Sequence, residues 1–531
     1  MSGTKRDSNW RRRLLQLHRW LGVTLGLYLF VICLSGTLAV FGHELDVLLG
    51  PAYPSASGPV NWDAVEASLA DEYRYGAVHT LRLEPDTGQL WAAVETAHGQ
   101  RIRAWLHPTT GVVLDERNYV DIKYFLRQFH KTLLMPKGLY LVTPAALVLL
   151  YSTLSGVLIY PSFWRHLFRL RLRRDALVAY ADTHRTIGLW AVIFGVLIAV
   201  TGSWYLLEVS ARDLGTSVEP VRPQVPIAAA PRAPLRDLVA AAKGSLPNLR
   251  IERIVLGERS TDPIWVEGRR EAWFVRSRAN RVYLHPRDAS VIEVWREEEQ
   301  SVLHRWSDMA DPLHFGNFAG LWSKGLWFLF GGVLCVAVAA GPWLARARAR
   351  RRRATRTSTA PHWQGWAIGI SAVTFVILMA SAVLSVTAAR LPILSGRPVP
   401  HAVADIEEVL ITRTDGETAS TYRLVSPRPL GELDLALRLG GEVIPLVPGR
   451  PAKGPRAHEV KVDWAGSATT LTFGALVPGQ AHHRPLTRPP LPIPVYVKAF
   501  IGLFVVLTLT TGGLWMAAMV GARSTLLPQP E

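Results

Sequence analysis

The chain is poor in cysteine: Cys33 and Cys335 are the only two in 531 residues, and both fall within apolar runs. This excludes a disulfide framework for any exposed domain, a thiolate metal cluster and the C-x-x-C-H attachment of c-type haem. No G-x-G-x-x-G strand-turn-helix unit appears either, so the chain lacks a flavin or nicotinamide domain of its own. No acid–base or nucleophilic constellation stands out. Acidic residues are outnumbered, 42 against 59 basic, which leaves a net charge of +17. Such a balance points to nucleic acid or to a membrane, and the placement of the charge decides between them.

Charge of either sign is absent from six long stretches: 20–42, 138–164, 186–207, 325–345, 362–389 and 499–522. Each exceeds the ~20 residues a helix needs to cross a bilayer. The basic residues gather in the segments that alternate with large loops. Residues 1–19, 161–185 and 346–356 together hold nineteen basic residues and three acids. By the positive-inside rule these face the cytoplasm, and nucleic acid loses its support as a partner. The chain therefore reads as a multi-pass protein of a bacterial inner membrane with both termini cytoplasmic. The first span is too long an apolar core for a cleaved signal peptide and is read as retained.

The domain limits follow. Residues 1–42 form a cytoplasmic N-terminus and first span. Outer, periplasmic domains occupy 43–137, 208–324 and 390–498. The remaining spans are 138–164, 186–207, 325–345, 362–389 and 499–522. Cytoplasmic loops lie at 165–185 and 346–361, and a tail at 523–531. The fold class expected is an α-helical polytopic membrane protein of about six transmembrane helices, with α+β and β-rich periplasmic domains.

An internal repeat organises this plan. His18-Arg19-Trp20-Leu21-Gly22 opens the first span and His184-Arg185-Thr186-Ile187-Gly188 the third. Each histidine is followed 18 residues later by a glycine, Gly36 or Gly202, itself preceded by Ser35 or Thr201. At ~100° per residue that spacing places histidine and glycine on one helix face. His130 precedes the second span and His314 the fourth, with Lys137-Gly138 and Lys324-Gly325 in matching places. The first two outer domains each begin with a helical stretch, 61–73 and 234–246. Alternating strands follow, over 81–114 and 251–294. Spans five and six form a third, degraded unit around a β-rich domain.

Four histidines carry the chemistry. His18 and His184 stand at the cytoplasmic ends of their spans, His130 and His314 at the outer ends. Histidine pairs from facing helices hold iron in the plane of a porphyrin through neutral imidazole nitrogens, and a glycine leaves room for the flat macrocycle. One pair near each surface predicts two b-type haems, held non-covalently, and a path for electrons across the bilayer. His43 is the further candidate on the outer side, in place of His130 or His314, and His304 another. His107 and His285 sit at turns, and His482-His483 are polar surface of the third domain. The many tryptophans near span ends read chiefly as an interfacial belt.

Taken together, Leu17-His18-Arg19-Trp20-Leu21-Gly22, Ser35-Gly36, Phe129-His130-Lys131-Thr132-Leu133, Thr183-His184-Arg185 and Pro312-Leu313-His314-Phe315-Gly316 resemble the signature segments of the PepSY-associated transmembrane family, over about residues 10–345. The resemblance implies a bacterial inner-membrane protein with paired periplasmic PepSY-like domains. It implies iron as cargo, since some members resemble di-haem reductases of ferric siderophores. Their histidine motifs fall on His18, His130, His184 and His314. Spans five and six and the third outer domain are additions to that pattern.

The expected function is a haem-dependent transmembrane metalloreductase acting on a ferric siderophore or other iron chelate. Its electrons would come from quinol or a separate reductase. Two other readings compete. A non-enzymatic PepSY sensor or protease regulator would carry no haem. A transporter would need a polar path at mid-membrane, and the spans hold almost no ionisable residue there.

Overall fold

A computed structural model gives the architecture. It describes residues 3–354 apart from short loop segments, a few positions in 369–380, strands within 408–463, and 491–524. Four described helices are long and apolar enough to cross a membrane: Leu139–Ile159, Val192–Asp213, Gly320–Ala345 and Val495–Trp515. A bent pair, Asn9–Thr24 with Gly26–Ala39, makes a fifth if counted as one span. The expected span 362–389 lies largely outside the described residues.

The first span is two helices, α1 (Gly3–Thr24) and α2 (Gly26–Ala39), which meet at Leu25 with a bend of 66°. Gly26 lies at the elbow, where a Cβ would come within 2.7 Å of the Trp515 ring. Thr24 donates its hydroxyl back to the Trp20 carbonyl at 2.7 Å, a bond that often bends a helix. The expectation that residues 18 and 36 share one face assumed a straight helix, and the bend removes that premise. The third span is likewise divided. α8 (Ala176–Trp190) carries His184, and the long apolar helix α9 (Val192–Asp213) begins after a break at Ala191.

Two four-stranded sets join into one antiparallel sheet. Chain order gives β1 (Ala77–Leu83), β2 (Leu90–Glu95), β3 (Arg101–Leu106) and β4 (Val113–Asn118). The second set is β5 (Arg250–Val255), β6 (Ile264–Arg269), β7 (Asn280–Leu284) and β8 (Val291–Trp295). The order across the sheet is β4-β3-β2-β1-β5-β6-β7-β8. The two sets meet where Thr80, Leu81 and Arg82 pair with Val255, Ile254 and Arg253. Pairing Arg82 opposite Arg253 would be repulsive alone. Glu84, 3.2 Å from Arg82, and Glu267, 2.5 Å from Arg253, offset it.

One face of this sheet packs on helices α4 (Trp62–Glu72) and α10 (Leu235–Ser245) through a single apolar core that includes Val65, Leu69, Leu238, Ile102 and Val282. Glu66 of α4 accepts the Leu235 backbone N–H at 2.8 Å and so caps the other set's helix. The opposite face carries two arginine–aromatic clusters. Arg103 lies over Trp91 and Tyr119, and Arg281 over Tyr283 and Trp295. In the third region the strands Glu408–Arg413, Ala419–Val425, Val447–Pro451 and Ala457–Asp463 form a four-stranded sheet. His482 and His483 lie outside the described residues.

Sheet and helices are tied by α3 (Gly42–Leu49) and α5 (Ile122–Thr132), which follows β4 directly. Asp46 of α3 accepts the first backbone N–H groups of α5, from Ile122 at 2.8 Å and Lys123 at 2.9 Å. Beneath them Glu84 is 6% exposed, bonded by the Trp91 indole at 2.9 Å and flanked by Lys123. Burial opposes its charge, but Lys123 and Arg82 hold Glu84 well below the ordinary carboxylate range. A depressed acid stabilises the fold fully above its unfolded value, and that gain is lost as pH falls through about 4 and lower. Glu84→Gln is therefore expected to cost about 1–3 kcal/mol near neutrality and to flatten the acid limb of thermal stability. Melting curves from pH 7 down to about pH 3 check this, and superimposable acid limbs would refute it.

Candidate functional site

The four histidines meet as two pairs. His18, on α1, and His184, on α8, have ring centroids 6.1 Å apart. His130, in the last turn of α5, and His314, in the last turn of α11 (Val302–Phe315), are 6.2 Å apart. The pairing brings together the residues expected in each pair. His43 lies apart, on α3 among Lys123, Glu84, Glu44 and Lys324, with no histidine ring against it among the described residues. His304 belongs to the first turn of α11, where its Nδ1 is 3.0 Å from the capping Ser301 hydroxyl. His107 and His285 accept backbone N–H groups in turns.

The ends of two helices set the outer pair. α5 stops at Leu133, which adopts a left-handed φ of 50° although it is not glycine. Its side chain is fully buried beside Phe125 and Phe129 in a core shared with α2 and Phe504 of the last helix, and that burial opposes the backbone strain. α11 ends at Gly316, φ 70°, where a Cβ would fall 2.4 Å from the Trp327 ring. Only glycine fits there. At the inner pair, Asp182 orients α8: it is 1% exposed and takes Arg171 at 2.7 and 3.1 Å, together with Arg185.

Each imidazole is held by its Nδ1. His18 Nδ1 is 2.8 Å from the Ser155 hydroxyl, and His314 Nδ1 is 2.9 Å from that of Thr201. His130 Nδ1 is 2.9 Å from the Ile32 carbonyl and 3.2 Å from the Ser35 hydroxyl. His184 Nδ1 is 2.7 Å from the Ala337 carbonyl. Carbonyls only accept. The three hydroxyls spend their own hydrogens on carbonyls of their own helices: Ser155 on Ser152, Thr201 on Leu197 and Ser35 on Ile32. They too therefore accept from the imidazole. The network assigns Nδ1–H to all four rings and leaves each Nε2 as the nitrogen with a free lone pair.

The separation within each pair is close to that of two imidazoles sharing one metal. A metal between two imidazoles, with bonds of about 2 Å, sets collinear ring centroids about 6.3 Å apart. Both pairs match this. Among the described residues no group of three or more His, Cys, Asp or Glu converges as a bare-metal cage. A two-histidine site suits a metal that brings its own equatorial nitrogens, as iron in porphyrin does. Gly22 and Gly188, four residues beyond the inner histidines, are half-buried, yet a Cβ at either would have no neighbour within 4 Å. Space is available beside that pair.

The glycines at the 18-residue spacing serve the outer pair. Gly36 faces the His130 ring, with Cε1 2.7 Å from where a Cβ would be, and Gly202 lies 3.7 Å from His314 Cε1 by the same measure. Ser35-Gly36 and Thr201-Gly202 thus each supply a hydroxyl to an outer imidazole and clearance beside it. The dipeptide Ser155-Gly156 does the same for His18, whose Cε1 is 3.9 Å from a Cβ at Gly156. Sequence reading missed Ser155, although its Ser-Gly signal matches the other two. It also missed the Ala337 carbonyl, which no side-chain pattern can reveal.

Residues 15–348 match the family of PepSY-associated TM regions, more than half of the chain. The chain belongs to that family. The match spans both histidine pairs, the whole eight-stranded sheet and the first four hydrophobic segments, and it ends before the third strand region. A comparison with curated proteins gave no match. Membership makes this a multi-pass membrane protein with a sheet domain, and leaves the role of the histidines to be argued from their geometry.

Gly36→Ala is expected to displace the His130 imidazole and lower stability by about 1–3 kcal/mol. Gly513→Ala, at an exposed helix position with nothing within 4 Å of the added Cβ, is the control. Equal melting temperatures for the two variants would show that the close approach is not maintained.

Proposed function

We propose that the protein is a bacterial inner-membrane b-type haem protein that moves electrons across the bilayer and reduces a ferric chelate on the periplasmic side. The observation that carries this reading is the two pairs themselves: imidazole rings from different helices with centroids 6.1 and 6.2 Å apart, each with Nδ1 hydrogen-bonded and Nε2 left as the nitrogen that could take a ligand. His18 and His184 would hold one haem, His130 and His314 the other. Haem bound there supplies one-electron Fe(III)/Fe(II) chemistry. The chain's own task is to orient. Ser155, Thr201, Ser35 and the Ile32 and Ala337 carbonyls fix ring rotation and tautomer, and by accepting Nδ1–H they raise the basicity of Nε2. The surrounding apolar helices exclude water.

The family and its transmembrane region support the inner-membrane placement. The arginine-rich segments support a cytoplasmic inner pair and a periplasmic sheet. The six-span topology, the duplicated plan and the third periplasmic domain belong to the same proposal. The outward order β4-β3-β2-β1 against β5-β6-β7-β8 supports duplication. Quinol or a separate reductase supplies the electrons, because the chain has no nucleotide-binding unit. A siderophore or another ferric chelate receives them, and reduction weakens its hard-oxygen hold on iron.

An absorption spectrum of the detergent-purified protein, before and after dithionite, tests the proposal. A sharp b-type α-band is expected with about two haems per chain. His18→Ala and His184→Ala should each remove one haem, His130→Ala and His314→Ala the other, and His43→Ala neither. A flat spectrum from folded protein made with ample haem would refute the proposal and favour a sensing or protease-regulating role.

A further inference from the structure

His314 has a fixture that His130 lacks. Thr201 takes the His314 Nδ1, and Tyr205, one turn further along α9, sets its ring perpendicular to the same imidazole, with centroids 5.3 Å apart and planes at 81°. Residues four apart share a helix face, so the hydroxyl and the aromatic ring reach one imidazole together. The Tyr205 hydroxyl donates to Asp311 Oδ1 at 2.6 Å. Asp311 belongs to α11, one turn before His314. The corresponding places around His130 hold Ala39, four residues after Ser35, and Arg127, three before the histidine. An alanine and an arginine cannot make the same link.

Asp311 is held in turn from the sheet. Arg276, on the connection between β6 and β7, meets both carboxylate oxygens: Nη2 lies 2.6 Å from Oδ1, and Nε pairs with Oδ2. The Arg276 side chain is 8% exposed, so this is a desolvated, two-point ion pair rather than a surface contact of little worth. Phe274, on the same connection, packs against Phe318 just beyond α11 at 4.9 Å. Nearer the start of α11, Glu208 accepts from the Ser307 hydroxyl, and the Trp204 and Trp306 rings meet at 6.2 Å. One hairpin of the sheet thus reaches the helix that bears His314 and, through Asp311, the residue against its ring.

We infer that Tyr205 is a positioning residue for His314, and that Arg276, acting through Asp311, holds it there from the sheet. Two contacts on one imidazole, at Nδ1 and at the ring, define both its rotation and its plane. The inference rests on the proposed function for its spectroscopic consequence. The planes of His130 and His314 lie at 42°. With haem bound, the angle between two axial imidazoles sets the symmetry of low-spin iron, which the ferric EPR spectrum reads. The contacts themselves do not depend on haem.

The detergent-purified full chain is compared with Tyr205→Leu, Tyr205→Phe, Arg276→Gln and Arg276→Lys by two measurements. In EPR of the oxidised protein, the outer haem is the low-spin signal absent from His314→Ala. Tyr205→Leu and Arg276→Gln should shift its g-values and leave the inner signal in place. Tyr205→Phe and Arg276→Lys should each fall between those variants and wild type. In hydrogen exchange read by mass spectrometry, α11 should exchange about tenfold faster in Arg276→Gln, as the loss of one charge-assisted bond allows, with α8 around His184 unchanged. An outer signal that no variant moves would overturn the inference. So would equal shifts of both signals, which mean general loosening. Should Tyr205→Leu not fold, Tyr205→Phe and Arg276→Gln carry the test on the same terms. Wild type without haem would sink the electron-transfer reading and leave exchange to decide: unchanged protection of α11 would then overturn the link, and faster exchange confined to α11 would support it.

Discussion

Half-burying an imidazole in an apolar helical bundle requires a partner for its N–H, and much of this structure meets that requirement four times. A buried donor left unmade costs about 1–3 kcal/mol. Helices satisfy their own backbone groups, so an acceptor must come from a side-chain hydroxyl or from a carbonyl with a spare lone pair. The chain uses both. Ser155 and Thr201 serve His18 and His314, and the Ala337 carbonyl serves His184. His130 takes both kinds, the Ile32 carbonyl and the Ser35 hydroxyl. In every pair the two rings and their two acceptors come from different helices. Each pair therefore fastens four helical segments, and moving one helix disturbs both rings.

The irregular helices accompany that constraint. The part of the first span before its bend presents His18 to α8, and the part after it brings Ile32 and Ser35 to α5. The bend at Leu25 and the break at Ala191 divide each span into a part for the inner pair and a part for the outer. The left-handed endings at Leu133 and Gly316 do the corresponding job at the sheet side, stopping α5 and α11 shortly after their histidines. The sheet then fixes those two helices relative to each other. α5 leaves the first strand set and α11 the second, so the β1–β5 junction sets the frame within which His130 meets His314.

Much of this was legible in the sequence, and the limits have physical causes. The pairing of His18 with His184 and of His130 with His314 followed from their matching places in the chain, because elements in equivalent positions meet in equivalent ways. Helices α4 and α10 fall within a residue or two of the stretches expected for them, since their apolar periodicity and Asn61 or Pro234 boundaries are local features. The bend at Leu25 was hidden, because apolar composition runs through it unchanged. The joining of the two strand sets was hidden as well. Alternation fixes which face of a strand is buried and says nothing about which edge it pairs. The single face expected for His18 and Gly36 assumed an unbroken helix, and the 66° bend removes that premise.

The same reasoning separates the four paired histidines from His43. His43 sits at a helix start near Lys123, Lys324, Glu84 and Glu44, where charge surrounds it on several sides. Its Nε2 is buried and makes no hydrogen bond among the described residues. By sequence position it competes with His130, lying near the same surface. Among the described residues no second imidazole lies against it, as one does for each of the other four. A fixed Nδ1 and a second ring across from it are what the proposed haem ligation asks of a histidine. Those two properties belong to the packing of separate helices, and this chain supplies both for His18, His130, His184 and His314.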